Sequence, residues 1–199
     1  MIPLELDAID ALRLGRLERL GPIHVTGVQV DSRRIDPGDL FVVVGDGLRY
    51  VDHARERRAG AVLVPEDAFG ALAAIGRLVR DRSTARFVAI TGSMGKTSTK
   101  DILAALVRPH ARLVAAERSY NNEIGVPLTL SCLEPNTEVC ILELAMRGLG
   151  QIAELAALTR PDVGVITTIA PVHLEKLGSL ARIAEAKSEL IHALPPGGT

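Results

Sequence analysis

From Phe87 onward, apolar runs of about five residues alternate with stretches in which apolar positions recur every three or four. FVAIT (87–91) precedes KTSTKDILAALV (96–107), and ARLVAA (111–116) precedes the loop SYNNEIGVP (119–127). VCILEL (139–144) precedes a helix starting near Gly150, and DVGVITT (162–168) precedes a loop and the helical LARIAEAKSELIHAL (180–194). Short apolar runs bounded by turns read as strands, and three-to-four periodicity reads as amphipathic helix. Strands buried on both faces and joined by helices predict a parallel sheet with helices on either side.

The first part of the chain has a different rhythm. Leu6, Ile9 and Leu12 stand at helical spacing and predict a helix over about 4–20, ended by Gly21-Pro22. IHVTGVQVD alternates and predicts a strand near 23–30; DLFVVV and GAVLVP predict two more, with a short helix between them. A further helix is predicted over 67–80. The polar stretch RDRSTAR (80–86) separates this small α/β unit from the alternating region that begins at Phe87, so the expected domains are 1–84 and 85–199.

Composition narrows the function. With 47% hydrophobic and 24% charged residues the chain reads as globular, and 199 residues allow one large or two small domains. A net charge of −1 with intermixed signs, and only 3% aromatics, gives no footprint for nucleic acid or an anionic membrane. No apolar run has the length to span a bilayer, and MIPLELDAID lacks a basic signal-peptide start, so no membrane insertion and a cytoplasmic location are expected. Cys132 and Cys140 sit in apolar contexts without metal-ligand spacing and read as small buried hydrophobes.

The chemistry concentrates at TGSMGKTSTK (91–100). A helix N-terminus offers unpaired N–H groups and a positive dipole end, which attract phosphate. Gly92 and Gly95 let backbone wrap an anion, Lys96 reaches outer phosphates, and Thr97 offers a hydroxyl to Mg²⁺. The general pattern has a further glycine six residues before the lysine, where Ile90 stands here. The alternative is an ordinary strand-to-helix turn with a surface lysine; the strand before and the helix after favour a nucleotide. Glu143 ends an apolar strand, Asn121 and Asn122 follow the strand ending near Ala116, and His173 follows DVGVITT, all at the carboxyl rim where parallel sheets bind ligands. Lys187 falls inside the apolar stripe Leu180, Ile183, Leu190, Ile191 and Leu194, so it needs a partner, a lowered pKa or a snorkelling route.

TGSMGKTSTK, YNNEIGVPLTL, ELAMRGLGQIAEL, PDVGVIT and HLEKLGSLARIAEAKSELI resemble the Mur ligase family, the ATP-dependent amide-forming enzymes of peptidoglycan synthesis, whose own nucleotide loop lacks the earlier glycine. DSRRIDPGDLF is similar to the family's uridine-nucleotide-binding domain. The resemblance implies a nucleotide loop made by Thr91, Gly92, Ser93, Met94, Gly95, Lys96, Thr97 and Ser98. It implies that Lys96 holds the β- and γ-phosphates and Thr97 a first Mg²⁺. Glu143 and His173 would bind metal near the γ-phosphate, and Asn121 and Asn122 would line the same site. Lys187 matches the lysine that several members carry as a carbamate, formed from CO₂. Asp31, Ser32 and Arg33 would sit near the uridine of the muramoyl peptide.

The implied activity joins D-alanyl-D-alanine to UDP-N-acetylmuramoyl-tripeptide through an acyl phosphate, at the expense of ATP. A ligase adding a single amino acid, a non-catalytic module binding UDP-muramoyl peptide or ATP, and an unrelated phosphate-loop ATPase or kinase are the alternatives. Met94, Thr168 and Ala170 depart from the family's usual residues, and HARERRAGA is about one helical turn shorter. Family members have three domains, so this chain is expected to hold the first and part of the second, to lack the C-terminal ligase domain, to be inactive alone, and to self-associate through an incomplete sheet.

Overall fold

A computed structural model of the chain describes residues 1–118, 120–171 and 178–199. The chain divides into two compact units, Met1–Arg82 with Leu130–Pro135, and Ser83–Thr129 with Asn136–Thr199.

In the first unit, β1 (Leu4–Glu5) leads into α1 (Leu6–Asp10), followed by β2 (Gly15–Arg19), β3 (His24–Val25), β4 (Val28–Gln29), β5 (Leu40–Val42), α2 (Val51–Glu56), β6 (Ala61–Pro65) and α3 (Ala68–Asp81). Strands β2, β6, β5 and β4 form a mixed sheet in that order, with β2 antiparallel to β6 and the others parallel. Phe41, Val62, Ile35 and Ala54 pack as its core. Asp67 caps α3, its carboxylate accepting from the Phe69 amide at 3.1 Å.

The helix expected over 4–20 is not formed: only Leu6–Asp10 is α-helical. Arg13 and Gly15 take left-handed backbone (φ 51° and 147°), and a Cβ on Gly15 would lie 2.3 Å from the Val64 carbonyl oxygen. The chain reverses there, and Gly15–Arg19 pairs with β6 from Gly15↔Pro65 to Arg19↔Ala61. Apolar residues three apart fit one face of a helix and fall on alternate faces of a strand, and here the pairing with β6 decides. The strand expected near 23–30 also divides, because β3 pairs with β1 while β4 joins the larger sheet.

The second unit runs β7 (Arg86–Thr91), α4 (Lys96–Val107), β8 (Leu113–Ala115), α5 (Gly125–Leu130, its last residue belonging to the first unit), β9 (Val139–Glu143), α6 (Gln151–Thr159), β10 (Val163–Ile166) and α7 (Leu180–His192). Its sheet is wholly parallel, in the order β10-β7-β9-β8, as the alternating pattern predicts. Side-chain alternation places Val88, Ile90, Val139, Ile141 and Val165 on the face covered by α4. Gly164 points to the opposite face, where a Cβ would touch Leu190 of α7 at 3.2 Å. The connection from β7 runs by α4 to β8, whereas that from the adjacent β9 runs by α6 past β7 to β10. Connections that diverge from neighbouring strands open a crevice at their carboxyl ends. No described helix is long and apolar enough to cross a membrane.

Ile141 is fully buried against Ile90 and Ala104. Ile141→Ala is expected to cost about 2–5 kcal/mol of stability, read as a lowered urea midpoint with an unchanged slope.

Candidate functional site

The crevice is built from the end of β7. Gly92 (φ 147°) and Gly95 (φ 80°) adopt backbone that other residues resist, and Gly95 stands at the N-cap of α4. A Cβ on Gly92 would lie 1.9 Å from Thr167 Oγ1, so glycine is required there on steric grounds as well. The turn is strapped to the segment after β10. Thr167 Oγ1 donates to the Met94 carbonyl at 2.6 Å, the Met94 amide donates to Thr168 Oγ1 at 3.2 Å, and the Ser93 amide donates to the Thr168 carbonyl at 2.8 Å. Ser93 Oγ accepts from the Ala170 amide at 3.0 Å. Thr168 and Ala170 are thus part of the brace. The signal that could have found them is a pair of hydroxyls ending the strand beside β7, where Ile166 pairs with Thr91.

Lys96 opens α4 and folds over the turn, its ammonium donating to the Gly92 carbonyl at 2.9 Å. Met94 points outward and is exposed, as is Ser98 on the first helical turn. Thr91 is fully buried, and its hydroxyl has no hydrogen-bond partner among the described residues.

Glu143 continues the alternation of Val139 and Ile141 on the α4 face, one step beyond the apolar core. It pairs in register with Ile90, which sets it beside the glycine turn. The carboxylate is 2% exposed. Its Oε2 accepts from Thr97 Oγ1 at 2.8 Å, and its Oε1 accepts from Asn121 Nδ2 at 2.8 Å. Asn121 is fixed in turn by the Ala145 amide, which donates to its carbonyl at 2.8 Å. Asn122 is differently engaged: its side-chain oxygen accepts from the Ile124 and Gly125 amides and starts α5. Among the described residues no three His, Cys, Asp or Glu side chains cluster as a metal cage. His173 lies outside the described residues.

Lys187 is buried on the sheet-facing side of α7 and is 3% exposed, so it does not snorkel. No hydrogen bond or ion pair from another described residue reaches its ammonium. Burial, and then the charge of Lys96, push its pKa down to about 8.

In the first unit, Asp31 caps a single 3₁₀ turn, Ser32–Arg34, accepting from the Arg33 amide at 3.0 Å. The Arg33 guanidinium grips the same carboxylate at 2.9 and 2.7 Å and holds its pKa down to about 2. Ser32 Oγ lies 2.9 Å from Nδ1 of His53. Val30, Asp31, Ser32, Arg33, Tyr50 and His53 line a cleft of about 510 Å³. Tyr50 and His53 are additions that spacing along the chain did not suggest, since they come from the α2 side.

A parallel sheet with a glycine turn, a helix start and a buried strand-end acid at its switch point defines a phosphate-loop type of α/β domain. Residues 90–199 match the Mur ligase middle domain. Over its whole length the chain is 37% identical to the UDP-N-acetylmuramoyl-tripeptide–D-alanyl-D-alanine ligase of Escherichia coli (strain K12), covering 47% of that protein. The Bacillus subtilis (strain 168) ligase of the same name is 35% identical over 87% of the chain and 42% of the relative. MurF from Acinetobacter baumannii superposes with a TM-score of 0.86 at 25% identity, covering 98% of the chain and 48% of that structure. MurF ligase from Thermotoga maritima, solved in complex with ADP, superposes at 0.74 with 29% identity over 85% of the chain and 44% of that structure. The chain belongs to the Mur ligase family, and it spans about half the length of the relatives it matches.

Unfolded, Lys187 titrates at its ordinary 10.5; folded, at about 8. Between these values the unfolded chain holds more protons, so stability rises with pH across that window and the penalty is fully present below it. Lys187→Met is expected to be more stable than the parent below pH 8 and to lose its advantage by pH 10.5, a change on the order of 1–3 kcal/mol in urea unfolding.

Proposed function

We propose that the chain carries the nucleotide-binding part of a cytoplasmic, ATP-dependent ligase that joins D-alanyl-D-alanine to UDP-N-acetylmuramoyl-tripeptide. The observation that carries this reading is the convergence of Lys96, Thr97, Asn121 and Glu143 at the carboxyl ends of β7 and β9. The names of the relatives supply the substrates.

The residues fit a magnesium nucleotide. The turn would wrap the phosphates, since a Cβ on Gly92 is excluded and the amides from Ser93 to Thr97 open a helix. Lys96 would leave the Gly92 carbonyl for the β- and γ-phosphates. Mg²⁺ takes oxygen donors and completes its shell with phosphate and water, so Thr97 and Glu143 suffice, with His173 proposed beside them. Thr91, Met94 and Ser98 complete the loop, and Asn121 and Asn122 border it. Bound there, Mg²⁺ would neutralise charge on the phosphates while two anions meet.

The peptide carboxylate then attacks the γ-phosphorus, ADP departs, and an acyl phosphate results. The amine of D-alanyl-D-alanine attacks the acyl carbon, phosphate leaves, and the amine loses a proton. Lys187 is proposed to react as the neutral amine with CO₂, releasing a proton and becoming an anion facing the metal. Asp31, Ser32 and Arg33, with Tyr50 and His53, are proposed to hold the uridine end. Self-association is proposed through β10, which pairs with β7 on one side and, among the described residues, meets Thr199 on the other, the Gly164 amide donating to its carbonyl at 2.8 Å.

Calorimetric titration of the chain with ADP and Mg²⁺ tests the nucleotide site. Saturable binding that Lys96→Met weakens by at least about tenfold, the loss of one charge-assisted phosphate contact, is expected. Absence of binding in the parent, or an unchanged Lys96→Met, overturns the reading.

A further inference from the structure

Lys100 is a second buried lysine, one turn beyond Lys96, and nothing in the proposed chemistry uses it. It lies on the sheet-facing stripe of α4 with Lys96, Thr97 and Ala104, and is 3% exposed. Its ammonium has three donors and three acceptors: the Ala116 carbonyl at 2.7 Å, the Arg118 carbonyl at 3.2 Å and the Asp101 carboxylate at 2.9 Å. A buried cation so fully engaged is held in one place, and it holds its partners likewise.

Those partners lie where the chain leaves β8 for Asn121. Arg118 is in left-handed backbone (φ 47°), which a non-glycine residue adopts only when its surroundings impose it. Lys100 clamps the carbonyl of Arg118 itself and one two residues earlier. At the far end of the same segment the Ala145 amide fixes the Asn121 carbonyl, and Asn121 Nδ2 reaches Glu143. Lys100 thus holds the carbonyls of Ala116 and Arg118, Asn121 three residues further on holds Glu143, and Glu143 returns to α4 at Thr97, one turn before Lys100.

We propose that Lys100 is a positioning residue for the Glu143 carboxylate, acting through the 116–118 backbone and Asn121 to hold that acid in the orientation Mg²⁺ requires. The inference rests on the magnesium-nucleotide reading of the site. A simpler role, satisfying carbonyls at the end of β8, would affect folding but not metal affinity in particular. Groups that orient a metal ligand from behind alter metal affinity by roughly 10–100-fold when removed.

The test is ADP binding to the full chain with and without Mg²⁺, in the parent, Lys100→Met, Lys100→Arg, Asn121→Ala and the Lys100→Met/Asn121→Ala pair. Lys100→Met is expected to raise the Mg²⁺ concentration for half-maximal ADP binding by roughly 10–100-fold. Metal-free ADP binding should stay at the parent level, and Lys100→Arg should restore most of the Mg²⁺ response. In the pair, Lys100→Met should add little to Asn121→Ala, because both act on one path. Additive effects, or an unchanged Mg²⁺ requirement in Lys100→Met, overturn the positioning role while leaving the nucleotide reading intact. Absence of Mg²⁺-dependent ADP binding in the parent overturns that reading and the inference with it. Where Lys100→Met loses cooperative unfolding, Lys100→Gln, which keeps a donor without the charge, is read in its place.

Discussion

A carboxylate at 2% exposure has lost most of its water, and Glu143 replaces it with two donors drawn from different elements. An uncompensated charge in that position is costly to bury, so Thr97 and Asn121 constrain the fold locally. Thr97 fixes how α4 leaves the glycine turn. Asn121 fixes where the segment after β8 must pass, and its carbonyl ties that segment to Ala145 just beyond β9. The acid itself is aimed by the sheet: register puts it opposite Ile90, and alternation puts it on the α4 face.

The glycine turn answers to a second demand of the same kind. Its two glycines are needed for different reasons, Gly92 for its contact with Thr167 and Gly95 for the left-handed entry into α4. A loop free of side chains would be free to move, yet this one is tied at Ser93 and Met94 to the segment following β10. The strap leaves the turn little conformational freedom to surrender on taking up the proposed phosphate. Diverging connections from β7 and β9 open the crevice, and the strap from β10 closes one wall of it.

Much of the second unit was legible because both faces of its sheet are covered, so each strand writes a plain apolar run and each helix a plain period. The turn was legible because its backbone requires glycine, and Glu143 because an acid interrupts an apolar strand. Positions set by non-local pairing were hidden. Leu6, Ile9 and Leu12 suit a helix running to about residue 20 until β6 claims Gly15–Arg19 as an edge strand. Leu130–Pro135, far along the chain, joins the first unit. Thr167 and Thr168 look like strand-end polar residues until β10 is known to lie beside β7. Lys100 looks like an ordinary helix-surface lysine until the end of β8 is placed against it. His53 meets Ser32 across 21 positions of sequence. In each case the chemistry was visible and the neighbour was not.

The two buried lysines divide on that same point. Both are 3% exposed, and burial penalises the charge of each. Lys100 is surrounded by oxygen, from Ala116, Arg118 and Asp101. Lys187 meets no described acceptor and feels the charge of Lys96, which lowers its pKa further. Two ammonium groups converging on one crevice repel, and the repulsion is relieved either by deprotonation of one or by an anion placed between them. Lys96 already has an acceptor in the Gly92 carbonyl, which Lys187 lacks among the described residues. The burden falls on Lys187, whose neutral amine becomes accessible near physiological pH. A phosphate chain over the turn, or an anionic group made from that amine, would turn the same convergence from a cost into a binding force.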